Sequence, residues 1–225
     1  MKAAKQAAKI PLTVKLTPNV TDMVEIAQAA KEAGADGLTI GNGIRAFAGV
    51  NIETGKPHLC AYGGYTGPAV KPIMMRHLSE VVRSVVIPIS AVGGVNNYTD
   101  VIEYIMLGAT TVQVCTAVIW NDYEIITRII NDLHDWMNRK GYESFDQIRG
   151  IVLKEITSVE KVATYPARHA AISRERCTNC GLCQRVCMYR AVSEKRGARW
   201  ADPKQCDGCG VCQQMCPSKV IVLEE

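Results

Sequence analysis

The chain has 225 residues, enough for one medium domain and a small one, and its 48% hydrophobic content with scattered charge is that of an ordinary globular protein. No run approaches the roughly 18 consecutive apolar residues of a membrane-spanning helix, and the opening MKAAKQAAKIP lacks the apolar core of a signal peptide; neither membrane nor export is indicated, and the cytoplasm is the expected location. The formal charge of +4 is uneven: from Arg168 onward ten Lys/Arg face six Asp/Glu, and before it sixteen face sixteen, a bias that taken alone points to nucleic acid.

Up to residue 150, short β-rich runs alternate with amphipathic helical stretches, the pattern of an α/β fold. PLTVKL (11–16) reads as a strand, and Thr21 or Asp22 caps a helix that runs to Ala33 and stops at Gly34. GLTIG (37–41) is a second strand, followed by a long loop over 43–70 and a helix from Lys71 to Ser84. IPISAVGG (87–94) leads to a helix near 98–107. TTVQVCTAV (110–118) leads to the longest helix, 122–139, ended by Gly141. These are four βα units of about 30 residues each, whereas a complete (β/α)8 TIM barrel takes about 250 residues, so the first domain, 1–150, reads as a partial barrel. Four parallel strands leave two unpaired edges, which predicts pairing with a complementing half-barrel chain or with a second copy. Val14, Leu16, Leu38, Ile40 and Val112 are the apolar candidates for the inner face.

In such a fold the chemistry sits at the carboxyl ends of the strands. Val92-Gly93-Gly94 follows the third strand and Cys115-Thr116 ends the fourth; as the last two strands of a barrel these would form a phosphate site, with glycines that admit an oxyanion close to the backbone. Lys15, inside the first strand, is either a solvated edge residue or an inward cation for a charged cofactor. Asn42, between Gly41 and Gly43, either forms a turn or offers a donor and an acceptor to a planar ligand. The 43–70 loop exceeds ordinary connections and carries His58, Tyr62 and Tyr65, read mainly as surface residues. His77, His134 and His169 show no ligand spacing. Residues 151–167 read as a helical linker.

The last quarter, 168–225, holds eight of the ten cysteines in two copies of one motif: Cys177, Cys180, Cys183, Cys187 and, at a constant offset, Cys206, Cys209, Cys212, Cys216. A CxxCxxCxxxC run holds a [4Fe–4S] cubane with three cysteines and sends its fourth to the other cluster. Cys177, Cys180, Cys183 and Cys216 are thus expected on one cluster, and Cys206, Cys209, Cys212 and Cys187 on the other. Three cysteines so closely spaced, twice, is not the separated CxxC pairing of structural zinc. The cytosolic character of the preceding domain argues against disulfides. Each oxidised cluster with its four thiolates carries about −2, which offsets the basic excess and removes the inference of nucleic acid.

VKLTPNVTD (14–22), GADGLTIGN (34–42), GGYTGPAVKP (63–72), AVGGV (91–95) and VQVCTA (112–117) resemble the carboxyl-terminal half of the flavin barrel shared by dihydroorotate and dihydropyrimidine dehydrogenases. With a double [4Fe–4S] segment following, the arrangement is similar to the catalytic part of the dihydropyrimidine enzymes. The resemblance implies that Lys15 contacts the ring of FMN, that Gly67 lies against it, and that Val92, Gly93, Gly94, Cys115 and Thr116 cradle its phosphate, with Asn42 on the substrate. Gly43 departs from the hydroxyl residue usual beside that asparagine. The family's general acid lies on an earlier loop without counterpart here, and neither Cys60 nor Cys115 replaces it, so the catalytic acid is unassigned. The implied activity is oxidoreduction at a CH–CH bond of a pyrimidine-like substrate, the clusters relaying electrons between FMN and a partner. That partner is expected to be a reductase subunit with FAD and a nicotinamide site, since no GxGxxG fingerprint occurs here, or another electron carrier. The alternative is an electron-transfer protein whose partial barrel is a docking platform without turnover.

Overall fold

Alternation of short apolar strands with capped helices builds the first part of the chain, in the computed structural model as in the sequence. Helix α1 (Lys2–Ala7) precedes β1 (Thr13–Leu16), and α2 (Met23–Glu32) starts where the Asp22 carboxylate accepts from Val24 N–H at 2.7 Å and Glu25 N–H at 3.3 Å. After β2 (Gly37–Ile40), the long connection is not structureless. It folds into two short hairpins, β3 (Ile44–Ala46) with β6 (Gly63–Tyr65) and, nested within, β4 (Val50–Asn51) with β5 (Lys56–Pro57). Then follow α3 (Lys71–Ser84), β7 (Ile89–Val92), α4 (Tyr98–Met106), β8 (Thr111–Gln113), α5 (Thr116–Asn121) and α6 (Glu124–Lys140). The fourth strand is therefore shorter than TTVQVCTAV predicts, because the chain turns into α5 at Thr116. The structure describes residues 1–158, 161 and 168–224, and these fall into two units that divide after Ile156. Residues 151–156 of the expected linker stay with the first unit, where Val152 N–H donates to Met106 O at 3.3 Å. The linker positions 159–160 and 162–167 lie outside the described residues.

The main sheet has the order β1-β2-β7-β8, all parallel. This is a partial (β/α) barrel with helices packed on one face. Leu16, Leu38 and Ile40 are buried with Met23, Ala27, Met74 and Leu78 in the layer between sheet and helices. The expectation that they line the inner face is thus corrected. Because strand residues alternate sides, an apolar row sent toward the helices leaves the neighbouring row for the barrel side. That second row is Lys15–Thr39–Ser90–Thr111, in register across all four strands. Ser90 Oγ accepts from both Thr111 Oγ1 and Gln113 Nε2 at 2.8 Å, so the inner face is polar.

Strands β1 and β8 are the unpaired edges. Beyond β8 the large apolar residues Ile119, Trp120 and Tyr123 are 76%, 63% and 76% exposed. Edges and a patch of this kind recruit partners. Sedimentation velocity on the isolated chain is expected to show dimers or larger species; a monodisperse monomer that unfolds cooperatively would count against an open half-barrel.

The second unit is a duplicated ferredoxin-like fold. Strand β9 (His169–Ile172), helix α7 (Leu182–Val186) and strand β10 (Val192–Lys195) recur, at the offset of the cysteine motif, as β11 (Ala198–Ala201), α8 (Val211–Met215) and β12 (Ile221–Glu224). Positive φ recurs at the same offset, at Asn179 and Gly208, Gly181 and Gly210, and Arg190 and Lys219. Pairing crosses between the copies: β9 pairs antiparallel with β12, and the intervening strands β10 and β11 pair with each other.

Candidate functional sites

All eight barrel residues singled out by the resemblance come together. Lys15, Asn42, Gly67, Val92, Gly93, Gly94, Cys115 and Thr116 line one cavity of about 310 Å³ at the carboxyl ends of the four strands. His58, Tyr62, Tyr65 and Cys60 of the hairpin segment do not line it. Three segments converge there because glycines let them touch. Gly94, at φ +72°, lies so close to the start of α3 and the loop before it that a Cβ would meet Lys71 Cβ at 2.7 Å and Gly67 O at 3.0 Å. Any side chain at this position would push the two loops apart.

Behind this loop is a support that sequence reasoning missed. The Tyr104 hydroxyl donates to Gly93 O at 2.6 Å. The buried Asp100 carboxylate accepts from Asn96 N–H at 2.8 Å, Asn97 N–H at 3.0 Å and the Lys71 ammonium at 2.5 Å, and Lys71 also donates to Glu103 at 2.6 Å. Burial works against the Lys71 charge, but its hydrogen bonds to Asp100 and Glu103 outweigh that and hold its pKa above the ordinary lysine value. Burial likewise pushes the Tyr104 hydroxyl well above the usual tyrosine range, so it remains a donor at neutral pH. The sequence signal available was the Asn97-x-x-Asp100 capping box, which the structure forms in both directions. Nothing in the sequence ties that box to the Gly93-Gly94 loop.

At the other wall, Asn42 Oδ1 accepts from Gly43 N–H at 2.8 Å, which makes the turn and leaves the amide nitrogen to donate elsewhere. Gly43 packs on the β6 backbone: a Cβ there would stand 2.9 Å from Gly64 Cα. A hydroxyl side chain beside Asn42 therefore has no room unless that hairpin moves. Thr116 Oγ1 donates to Thr66 Oγ1 at 3.2 Å, joining α5 to the loop that carries Gly67.

In the second unit the eight motif cysteines divide between two cavities. One is lined by Cys177, Cys180, Cys183 and Cys216; the other by Cys206, Cys209, Cys212 and Cys187. Each space thus receives three thiols from one run and one from the other, as the crossed strand pairing requires. Among the described residues no three His, Cys, Asp or Glu side chains converge on one point as ligands of a single ion; each quartet instead surrounds a space. Ala170 N–H donates to Cys206 Sγ at 3.4 Å. The Leu182 amide holds the Cys180 thiol below its ordinary pKa, whereas burial pushes Cys183 and Cys212 up. As cluster ligands all would be thiolates, with the iron in place of the proton.

Residues 1–137 match the dihydroorotate dehydrogenase family and residues 176–221 match the 4Fe-4S dicluster domain. The chain belongs to the dihydroorotate dehydrogenase family. Among its relatives, the catalytic subunit of dihydroorotate dehydrogenase B (NAD(+)) from Methanothermobacter thermautotrophicus is 43% identical over 150 residues, covering 66% of this chain and 50% of that protein. The corresponding subunit from Pyrococcus abyssi is 36% identical over 155 residues, covering 68% and 52%. The NAD-dependent dihydropyrimidine dehydrogenase subunit PreA of Escherichia coli is 30% identical over 194 residues, covering 83% and 47%. That last match is longer than the first unit, which ends at Ile156, and so extends into the second. The chain spans about half the length of the curated relatives it matches.

Two [4Fe–4S] clusters and, in a complete barrel, FMN are the cofactors that go with these domains. The residues present fit both. The first-unit cavity lies at the lower end of the ~300–1,000 Å³ usual for ligand pockets, with bare glycine backbone on one side and a lysine on another. The second unit offers eight thiols in two quartets, each around its own cavity. Among the described residues no helix is long and apolar enough to cross a membrane.

Proposed function

We propose that the chain is the cofactor-binding and electron-relaying part of a cytoplasmic iron–sulfur flavoprotein that oxidises or reduces a CH–CH bond of a pyrimidine-like substrate, as a dihydropyrimidine dehydrogenase does. The observation that carries this reading is the joining in one chain of the strand-end cavity, lined by all eight resemblance-derived residues, to a unit with two crossed cysteine quartets. When bound, FMN supplies the hydride chemistry. The Gly93-Gly94 backbone and the Thr116 hydroxyl hold its phosphate, and Tyr104 and Asp100 keep that loop in shape from behind. Lys15 places a cation at the end of β1, on the polar face of the sheet, where it favours negative charge on the ring. Asn42 donates to the substrate from the end of β2. Cys177, Cys180, Cys183 and Cys216 hold one cluster, and Cys206, Cys209, Cys212 and Cys187 hold the other. So held, the clusters would supply one-electron relay between the flavin and a reductase subunit with FAD and a nicotinamide site.

The experiment is anaerobic expression followed by analysis of iron, sulfide and flavin. The chain is expected to contain about eight irons and eight acid-labile sulfides and to retain little FMN through gel filtration, because a cavity open along β1 and β8 buries too little of the cofactor. Addition of a complementing half-barrel chain is expected to bring stoichiometric FMN and dihydropyrimidine oxidation. Stoichiometric zinc without broad visible absorption would overturn the cluster assignment. Iron at full level with no flavin and no turnover, even with the complementing chain, would favour the electron-transfer alternative.

A further inference from the structure

The duplication in the second unit gives each residue of the first cluster wall a counterpart in the second, as Cys177 has Cys206. The cavity of Cys177, Cys180, Cys183 and Cys216 is walled by Arg199, whose side chain is only 15% exposed. Its counterpart in the other cavity is Ala170. At the next equivalent pair, Thr178 borders the first cavity and Asp207 the second. Both differences put more positive or less negative charge beside the first quartet. Two features oppose them in part: Ala170 N–H donates to Cys206 Sγ in the second quartet at a long 3.4 Å, and Glu194 stands 3.9 Å from Arg199 Nη2, half exposed and beyond hydrogen-bond distance.

Arg199 is built into place. Its Nη1 donates to Gln184 Oε1, and its guanidinium lies over Gly181, where a Cβ would come within 3.2 Å of Nη2. Gly181 also sits at φ +76°, so both its backbone and its bare face are needed for the arginine to reach this wall. Nε is buried and has no hydrogen-bond partner among the described residues. A buried guanidinium N–H left without an acceptor is costly, and the adjoining cavity is the one the cysteines surround.

We infer that Arg199 is a positioning residue for electrons: its charge and free N–H stabilise the reduced state of the cluster held by Cys177, Cys180, Cys183 and Cys216, so that a single electron entering the pair rests there rather than on the cluster of Cys206, Cys209, Cys212 and Cys187. This rests on the proposed cluster ligation. Adding one electron makes a cluster more negative by one unit, and cluster potentials respond to nearby charge and to hydrogen bonds on sulfur. In the low dielectric of a protein wall a buried cation acts more strongly than an exposed anion. The first-run cluster is therefore the higher-potential partner, and Asp207 holds the second one lower.

The test is a redox titration of the full chain with dithionite and mediators, followed by electron paramagnetic resonance, after iron analysis of each variant. Wild type is expected to show two separable one-electron couples. Arg199→Gln should lower the upper couple by at least about tenfold in electron occupancy, which is about 59 mV for one electron, and leave the lower couple in place. Arg199→Lys, which keeps the charge, should retain most of the gap. Asp207→Asn should raise the lower couple alone, by about threefold, since its exposed charge is screened. Eight irons with an unmoved upper couple in Arg199→Gln, or both couples moving together, would overturn the inference and leave the ligation intact. Iron far below eight in wild type would overturn the ligation, and this inference with it.

Discussion

Replacement of Cys216 by serine is expected to damage the cluster of Cys177, Cys180 and Cys183 and to spare the one whose motif it belongs to. Along the chain Cys216 is the last member of the second run, but it lines the first-run cavity, and Cys187 does the reverse. The cause is topological. Each run ends in a single short helix, α7 or α8, whose last turn delivers the fourth cysteine past the end of its own loop, and the crossed pairing of β9 with β12 brings that end beside the other copy. The expected result is loss of up to about four of the eight irons. The surviving resonance signal should match that of a Cys177→Ser variant. Cys187→Ser should leave the other signal, matching Cys206→Ser. Spectra that group Cys216 with Cys206, Cys209 and Cys212 would show that each run closes on itself.

Asp100→Ala is expected to cost the first unit about 3 kcal/mol, the lower end of what removing one partner of a buried ion pair costs. The substitution strips one carboxylate of three hydrogen bonds at once: to Lys71, and to the Asn96 and Asn97 amides that enter α4. For a unit of this size that corresponds to a fall in Tm of roughly 6–12 °C. Asp100→Asn, which keeps an acceptor for the amides and loses the charge, should lie between wild type and alanine. The loop effect is separable from the stability effect. Tyr104→Phe removes only the hydroxyl that fixes Gly93 O, so it should cost about 1 kcal/mol yet weaken FMN in the completed barrel. Thermal unfolding followed by circular dichroism checks the first claim and flavin fluorescence titration the second. An Asp100→Ala chain with unchanged Tm would show that Lys71 and the two amides find other partners.

The legible part of the fold was the part set by local chemistry. Helix α3 occupies the residues its periodicity predicts, and Asp22 caps α2 because a side chain next to a free amide needs no distant information. The cysteine quartets were legible because spacing along the chain reflects a cluster's size. What stayed hidden depends on neighbours. Leu16, Leu38 and Ile40 alternate with polar residues in a way that marks a strand, but only the helices packed on the sheet decide which row turns toward them. The 43–70 segment reads as loop because its paired strands are very short and largely exposed, too brief for a period to register. The glycines that line the strand-end cavity were singled out by resemblance. Their support, Tyr104 with Asp100 and Lys71, was not, since it joins α3 to α4 across the whole of β7 and its flanking loops.

The polar row Lys15–Thr39–Ser90–Thr111 separates two duties of the sheet. A lumen face packed with aliphatic side chains would tie every change on it to the packing of the core. Here the lumen side carries hydroxyls and an ammonium, with Ser90, Thr111 and Gln113 satisfying one another. The aliphatic layer that holds the unit together lies on the opposite side, under the helices. Substitutions along the polar row therefore leave that layer undisturbed. A sheet of this construction can change what its lumen meets without repacking its core.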